Sequence, residues 1–187
     1  VCSGEEVQLN VTGASYYSWT LSSPLLNDSG PLLTLTPTQN IIGTVMGTME
    51  YTLVSCTSEL DFEYEVFALP TIAITAEQHV CTGEEFFASA TASDGQPGYS
   101  FSWEIGTTTG EGNEISEVLL EVGTSNYSFQ VVDGNGCETS ATGTVDIQPL
   151  PEVDAGPSLD FCNQNFPVEL ENYTPFGGTW SGPGILD

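Results

Sequence analysis

The chain has 187 residues, 39% of them hydrophobic, with 26 acidic side chains and no Lys or Arg, for a formal charge of −26. Without cations it cannot neutralise nucleic-acid phosphates, form a lysine Schiff base or clamp a substrate with arginine, and an anionic membrane surface would repel it. No apolar run reaches the roughly 20 residues of a membrane helix, so direct membrane insertion is excluded by this reading. The hydrophobic fraction is that of a globular chain rather than an acidic disordered one. Stability must rest on burial, hydrogen bonds and disulfides, with His79 and a free amino terminus the only partners for an acid. The length allows roughly one to three domains. The numbering is expected to start inside a mature or excised segment, because no initiator Met or signal peptide opens it.

In chain order, Val7, Leu9 and Val11 alternate with polar residues, as do Tyr17, Trp19 and Leu21, the period of half-buried strands. Ser23-Pro24 and residues 27–31, NDSGP, are turn chemistry. Leu33 and Leu35 mark another strand, Ile41 to Val45 a short one, and Tyr51 to Cys56 with Leu60 to Val66 a closing pair. A second segment begins with the β-branched run Thr71 to Thr75, then Phe86, Ala88, Ala90 and Ala92 on one parity. Asp94 to Gly98 reads as a turn, Tyr99 to Ile105 as a strand carrying Trp103, Gly106 to Asn113 as a polar loop, and Val118, Leu120 and Val122 as a strand. Tyr127, Phe129 and Val131 then lead into Asp133-Gly134-Asn135-Gly136, a hairpin signal because primed turns need φ > 0. On the return, Cys137, Thr139, Ala141, Gly143, Val145 and Ile147 share one parity, which points Cys137 into a core. A third segment opens at Val153, carries Cys162 and Trp180, and reaches Asp187.

The segments repeat. VCSGEE at 1–6 returns as VCTGEE at 80–85, and each is followed by a Trp strand and a second cysteine. Short strands, frequent turns, no helical periodicity and a Cys…Trp…Cys order predict an all-β chain of tandem immunoglobulin-like β-sandwich modules. The expected divisions are 1–70, a sandwich lacking its first strand; 71–150, a second; and 151–187, the start of a third. Five cysteines allow several pairings. The repeat favours Cys2–Cys56 and Cys81–Cys137, each stapling one thin sandwich, with Cys162 unpaired within these residues. Such bridges belong outside the cytoplasm.

The run YSFQVVDGNGC at 127–137 resembles the closing hairpin of repeats in giant surface adhesins of Bacteroidota, the SprB type linked to gliding motility. PGYSFSW at 97–103 is similar to a second motif of those repeats. VDAGP at 153–157 and TPFGGTWSGPG at 174–184 resemble PKD-like and Ig-like modules of the same secreted proteins. The first segment departs, since Cys56 lacks the Asp-x-x-Gly before it. The resemblance implies export by the type IX route and display at the cell surface as part of a long repetitive polymer. The function expected is a non-enzymatic structural or adhesive repeat segment. Its partners would be neighbouring modules of the same chain, with other surface proteins or polysaccharide as targets. The alternative is an accessory or carbohydrate-binding module array on a secreted polysaccharide-degrading enzyme.

Calcium is the one candidate cofactor, since hard cations take carboxylate oxygens. Asp61, Glu63 and Glu65 share one strand face, and Glu152, Asp154 and Asp160 lie at a joint. Asp133, Asn135 and Glu138 flank the hairpin. A solvated outer face and a tight turn explain the first and last of these without metal. His79, the sole histidine, reads as structural, and without CxxC spacing zinc is disfavoured. Trp19, Trp103 and Trp180 read as core residues rather than sugar platforms.

Overall fold

The structure, a computed structural model, describes residues 1–23, 25–156, 158, 167–169, 173–175, 177, 179 and 181–182. These residues form fourteen strands and no helix. The first six are β1 (Val7–Asn10), β2 (Tyr16–Ser23), β3 (Leu25–Ser29), β4 (Leu32–Leu35), β5 (Ile41–Glu50) and β6 (Ser55–Tyr64). Strands β1 and β4 pair antiparallel, and β3-β2-β5-β6 form a four-stranded sheet. The period-2 alternation sends Trp19, Leu21, Leu33, Ile41 and Val45 into one core, with Leu9, Leu35 and Phe62 against it. Trp19 is the anchor. Its ring meets Phe62 edge-on at 5.8 Å, and its indole N–H donates to the Gly30 carbonyl at 2.8 Å, so its polar atom is satisfied inside the core.

The next eight are β7 (Thr71–Ala76), β8 (His79–Cys81), β9 (Glu85–Ser93), β10 (Ser100–Ile105), β11 (Thr108–Glu111), β12 (Glu114–Val118), β13 (Gly123–Val132) and β14 (Glu138–Gln148). They make a five-stranded sheet, β11-β10-β13-β14-β8, and a three-stranded sheet, β12-β9-β7. All pairs are antiparallel except β8 with the end of β14, which is parallel. Between the sheets lie Phe86, Ala88, Ala90, Ile105, Ile115, Tyr127, Phe129, Val145 and Ile147. The architecture is an immunoglobulin-like β-sandwich, built twice.

Large residues are set against small ones. Tyr127 faces Gly143 across the β13–β14 ladder, and any side chain at Gly143 would collide with the Tyr127 ring and hydroxyl. Phe129 faces Ala141 and Trp103. The β14 parity is as the alternation predicts: Cys137 and Val145 are fully buried and Ile147 nearly so, while Glu138, Ser140, Thr142 and Thr144 face water.

Several elements depart from the sequence expectation. Strand β5 runs on to Glu50, and the hairpin turn falls at 51–54, closed by the Tyr51 N–H on the Val54 carbonyl at 2.9 Å. Apolar Tyr51, Leu53 and Val54 are therefore exposed loop residues. Asn27 to Ser29, expected as a turn, extend β3 along the edge of its sheet. The polar loop 106–113 contains β11, whose Gly110 leaves room for the Trp103 ring. Leu120 and Val122 lie outside any strand and are exposed. Trp103 is only partly buried, and its indole N–H has no partner among the described residues.

Candidate functional site: the joint between the sandwiches

Each sandwich has two distinct ends. At one end the lead cysteine lies parallel to a residue at or just beyond the end of the final strand. Cys2 bridges Phe67, and Cys81 pairs with Gln148. At the other end the second cysteine stands at the hairpin-proximal end of the final strand, Cys56 as the second residue of β6 and Cys137 just before β14. Phe67 lies eleven residues beyond Cys56 along the extended chain, as Gln148 does beyond Cys137. At about 3.3 Å per residue, each lead cysteine stands roughly 35 Å from the hairpin cysteine of its own sandwich. A disulfide needs Cα atoms about 4.4–6.8 Å apart. The expected Cys2–Cys56 and Cys81–Cys137 bridges are therefore corrected.

The bridge that forms is Cys2–Cys137, with Cα atoms 5.5 Å apart and a sequence separation of 135. It crosses from the leading segment of the first sandwich to the hairpin of the second. Cys56 and Cys81 are free, the first exposed and the second partly so. Head-to-tail stacking explains the choice, because it brings the far end of one sandwich to the hairpin end of the next.

The first half of the joint is built by residues 1–5. The Ser3 N–H donates to the Phe67 carbonyl and the Phe67 N–H to the Val1 carbonyl, both at 2.8 Å. The Cys2 N–H donates to the Glu5 carboxylate at 2.9 Å, and the Glu5 N–H returns to the Cys2 carbonyl at 3.1 Å. Glu5 thus holds the turn that aims Cys2 across the joint.

The second half is organised by Asp133, the one buried charged side chain among the described residues. One carboxylate oxygen accepts the Gln96 N–H at 2.8 Å. The other accepts the N–H groups of Asn135 and Cys137, both at 2.9 Å. This is an Asx-type cap rather than the expected primed turn, and within the loop only Gly136 takes a positive φ. The Gln96 hydrogen bond first, then those from Cys137, Asn135 and Gly136, hold the Asp133 carboxyl below the usual carboxylate range against the opposing effect of burial.

Gly95 closes the site. It sits at φ +61 beside Asp94 at φ +59. A Cβ on Gly95 would lie 2.5 Å from the Asp133 carboxylate, 3.2 Å from the Pro70 nitrogen and 3.4 Å from the Ala68 carbonyl. The linking residues, the turn and the buried carboxylate therefore meet at one point, next to the disulfide. The sequence shows Asp133 as a turn residue. Its spacing to Cys137 was the only signal that it carries a cap.

The sign of its pH dependence follows. A carboxyl whose folded pKa is depressed contributes stability fully above the unfolded value of about 3.9, and loses it as pH falls through the folded value. Asp133→Asn turns an acceptor into an NH2 group facing an N–H donor, so it lowers the melting temperature at neutral pH. The gap between the two proteins stays constant down to about pH 5 and closes below about pH 4. Thermal melts across that range check this; a gap that persists in acid removes the carboxylate's role.

Among the described residues the calcium candidates are not brought together. Asp61 accepts the Thr44 hydroxyl at 2.6 Å on an exposed face with Glu63. Glu65 is exposed, and its backbone carbonyl accepts the Val1 amino group at 3.4 Å. Asp154 accepts the Gly156 N–H at 2.9 Å and pairs with Thr174, and the Thr174 hydroxyl donates to the Glu152 carbonyl at 3.4 Å. Among the described residues no three of His, Cys, Asp and Glu converge on a metal position. Asp160, Cys162 and Trp180 lie outside the described residues. His79 faces Asp146 at 3.7 Å in an exposed pair, which contributes little in water.

No curated protein matches the chain. The solved structure of the amphioxus IgVJ-C2 molecule is similar at 15% identity, over 79% of this chain and 99% of that one, with a TM-score of 0.34. That likeness is too distant to bear on fold or function. Residues 66–147, from just beyond β6 to the penultimate residue of β14, match the family model of the PKD-like domain.

Proposed function

We propose that this chain is a non-enzymatic structural or adhesive segment of a long secreted surface protein, an adhesin or filament of the bacterial gliding type. The observation that carries the reading is the Cys2–Cys137 bridge. A bond that joins two sandwiches fixes their spacing and bend, which serves a chain whose task is to keep its shape. A disulfide also fits an oxidising compartment outside the cytoplasm. The PKD-like match over the second sandwich fits a structural or adhesive module. The charge of −26 without one Lys or Arg keeps neighbouring chains apart and soluble.

Antibody raised against the chain is expected to label intact cells of the source in extended surface tracks. Label that appears only after permeabilisation overturns the reading. Tight binding of the isolated chain to a polysaccharide on a glycan array would favour the carbohydrate-binding module array instead.

A further inference from the structure

Cys81 stands where Cys2 stands. In both sandwiches the cysteine N–H donates to the glutamate three residues on, Glu5 at 2.9 Å and Glu84 at 3.2 Å. In both, that glutamate's N–H returns to the cysteine carbonyl, at 3.1 and 3.0 Å. In both, the next residue donates to the end of the final strand, Ser3 to Phe67 and Thr82 to Gln148, each at 2.8 Å. Gly4 and Gly83 then donate across the sandwich to Pro37 and Leu119, again each at 2.8 Å. The four contacts that aim Cys2 across its joint are all present around Cys81.

Cys56 stands where Cys137 stands. Trp19 pairs with Val45, which pairs with Leu60; Trp103 pairs with Phe129, which pairs with Ala141. Cys56 precedes Leu60 by four residues, and Cys137 precedes Ala141 by four. Cys81 and Cys56, the free cysteines among the described residues, are thus counterparts of the two halves of the Cys2–Cys137 bridge. Neither can reach the other cysteine of its own sandwich, for the same 35 Å reason.

We propose that Cys81 forms a disulfide with the hairpin cysteine of a following module of the same kind in the same chain, and Cys56 with the lead cysteine of a preceding one. Successive modules are then locked by overlapping covalent loops, each spanning one joint. The proposal rests on reading the chain as part of an array. Bond formation needs a thiol–disulfide oxidoreductase in its disulfide form. The Cys81 thiolate attacks that disulfide, and the mixed disulfide is then displaced by the hairpin thiolate of the next module. Two thiol protons leave, and two electrons reduce the oxidoreductase to its dithiol.

The test is a disulfide map of the protein isolated from its source with iodoacetamide present throughout. The digest uses a protease that cuts at acids or aromatics, since trypsin has no site here. The expected result is a Cys81 peptide linked to a hairpin peptide of the following module, with no alkylated Cys81. Alkylated Cys81, or a link from it to Cys56, Cys137 or Cys162, overturns the proposal. A second arm uses Cys2→Ser in the 187-residue chain, which frees Cys137. Cys81 and Cys137 are expected to stay unlinked under an oxidising glutathione buffer, and a bond between them removes the geometry on which the proposal stands. Alkylated Cys81 on a chain that antibody finds at the cell surface sinks this inference alone. Bonded Cys81 on a chain confined to the cell interior sinks the surface reading alone.

Discussion

Pulled from its two ends, the oxidised chain releases about 450 Å less contour length than the reduced chain, at about 3.4 Å for each of the 135 residues spanned by Cys2–Cys137. Tension that enters at Val1 reaches Cys2, crosses the bridge to Cys137 and leaves along β14. Everything between sits in a closed loop, so the first sandwich is shielded, and in the second the force falls on β14, which it strips from β13 and β8. After reduction the same force peels both sandwiches strand by strand. The comparison also separates the bridge seen here from the one the repeat favours, since loops closed within each sandwich would hide about 370 Å instead. Single-molecule extension with and without reductant measures the difference, and Cys2→Ser should match the reduced chain under both conditions. Equal release in the two states would remove the bridge across the joint. At rest, closing a loop of this size is worth about 5 kcal/mol on the chain-entropy model, so the joint contributes to stability as well as to length.

The sequence carried the strands better than the ends. The β13–β14 hairpin was legible because an uninterrupted period of two, with Asp-Gly and Asn-Gly between, admits one register. The same parity placed Cys137 in a core. It did not say whose cysteine waits there. That depends on β8 lying parallel to the far end of β14 and on Cys2 lying likewise beside Phe67, pairings between residues far apart in sequence that no local pattern encodes. Strands β3 and β11 were missed because Asn27, Asp28 and Gly110 are poor strand formers and pair only as edges of sheets that others nucleate. Leu60 shows the converse. It occupies the place of Ala141, yet it is 64% exposed, because the first sandwich has no counterpart of β7 among the described residues. The joint itself was half legible: the Asp and Cys of the hairpin and the turn at Asp94 to Gly98 were plain, and the meeting of the two was not.

Phe129→Ala is expected to destabilise the second sandwich by about 3–5 kcal/mol while leaving the first almost untouched. Phe129 is fully buried, and its ring stands edge-on to Tyr127 at 6.5 Å between centroids. Its neighbours in the core include Ala88 and Ala90, and its cross-strand partner is Ala141. These side chains are already as short as they can be, so they cannot lean into the space and the cavity stays open. A domain this small has a net stability near the low end of about 5–15 kcal/mol, so the substitution removes a large share of it and lowers the melting point by roughly 15–30 °C. The two cores share no residue, so the loss should be confined to one transition. Trp19 and Trp103 allow the two transitions to be followed separately, each in a variant that replaces the other two tryptophans with Phe. The Trp103 signal should melt early and the Trp19 signal should not move. If both fall together by the same amount, the sandwiches unfold as one cooperative body, and the joint does more than tether two independent cores.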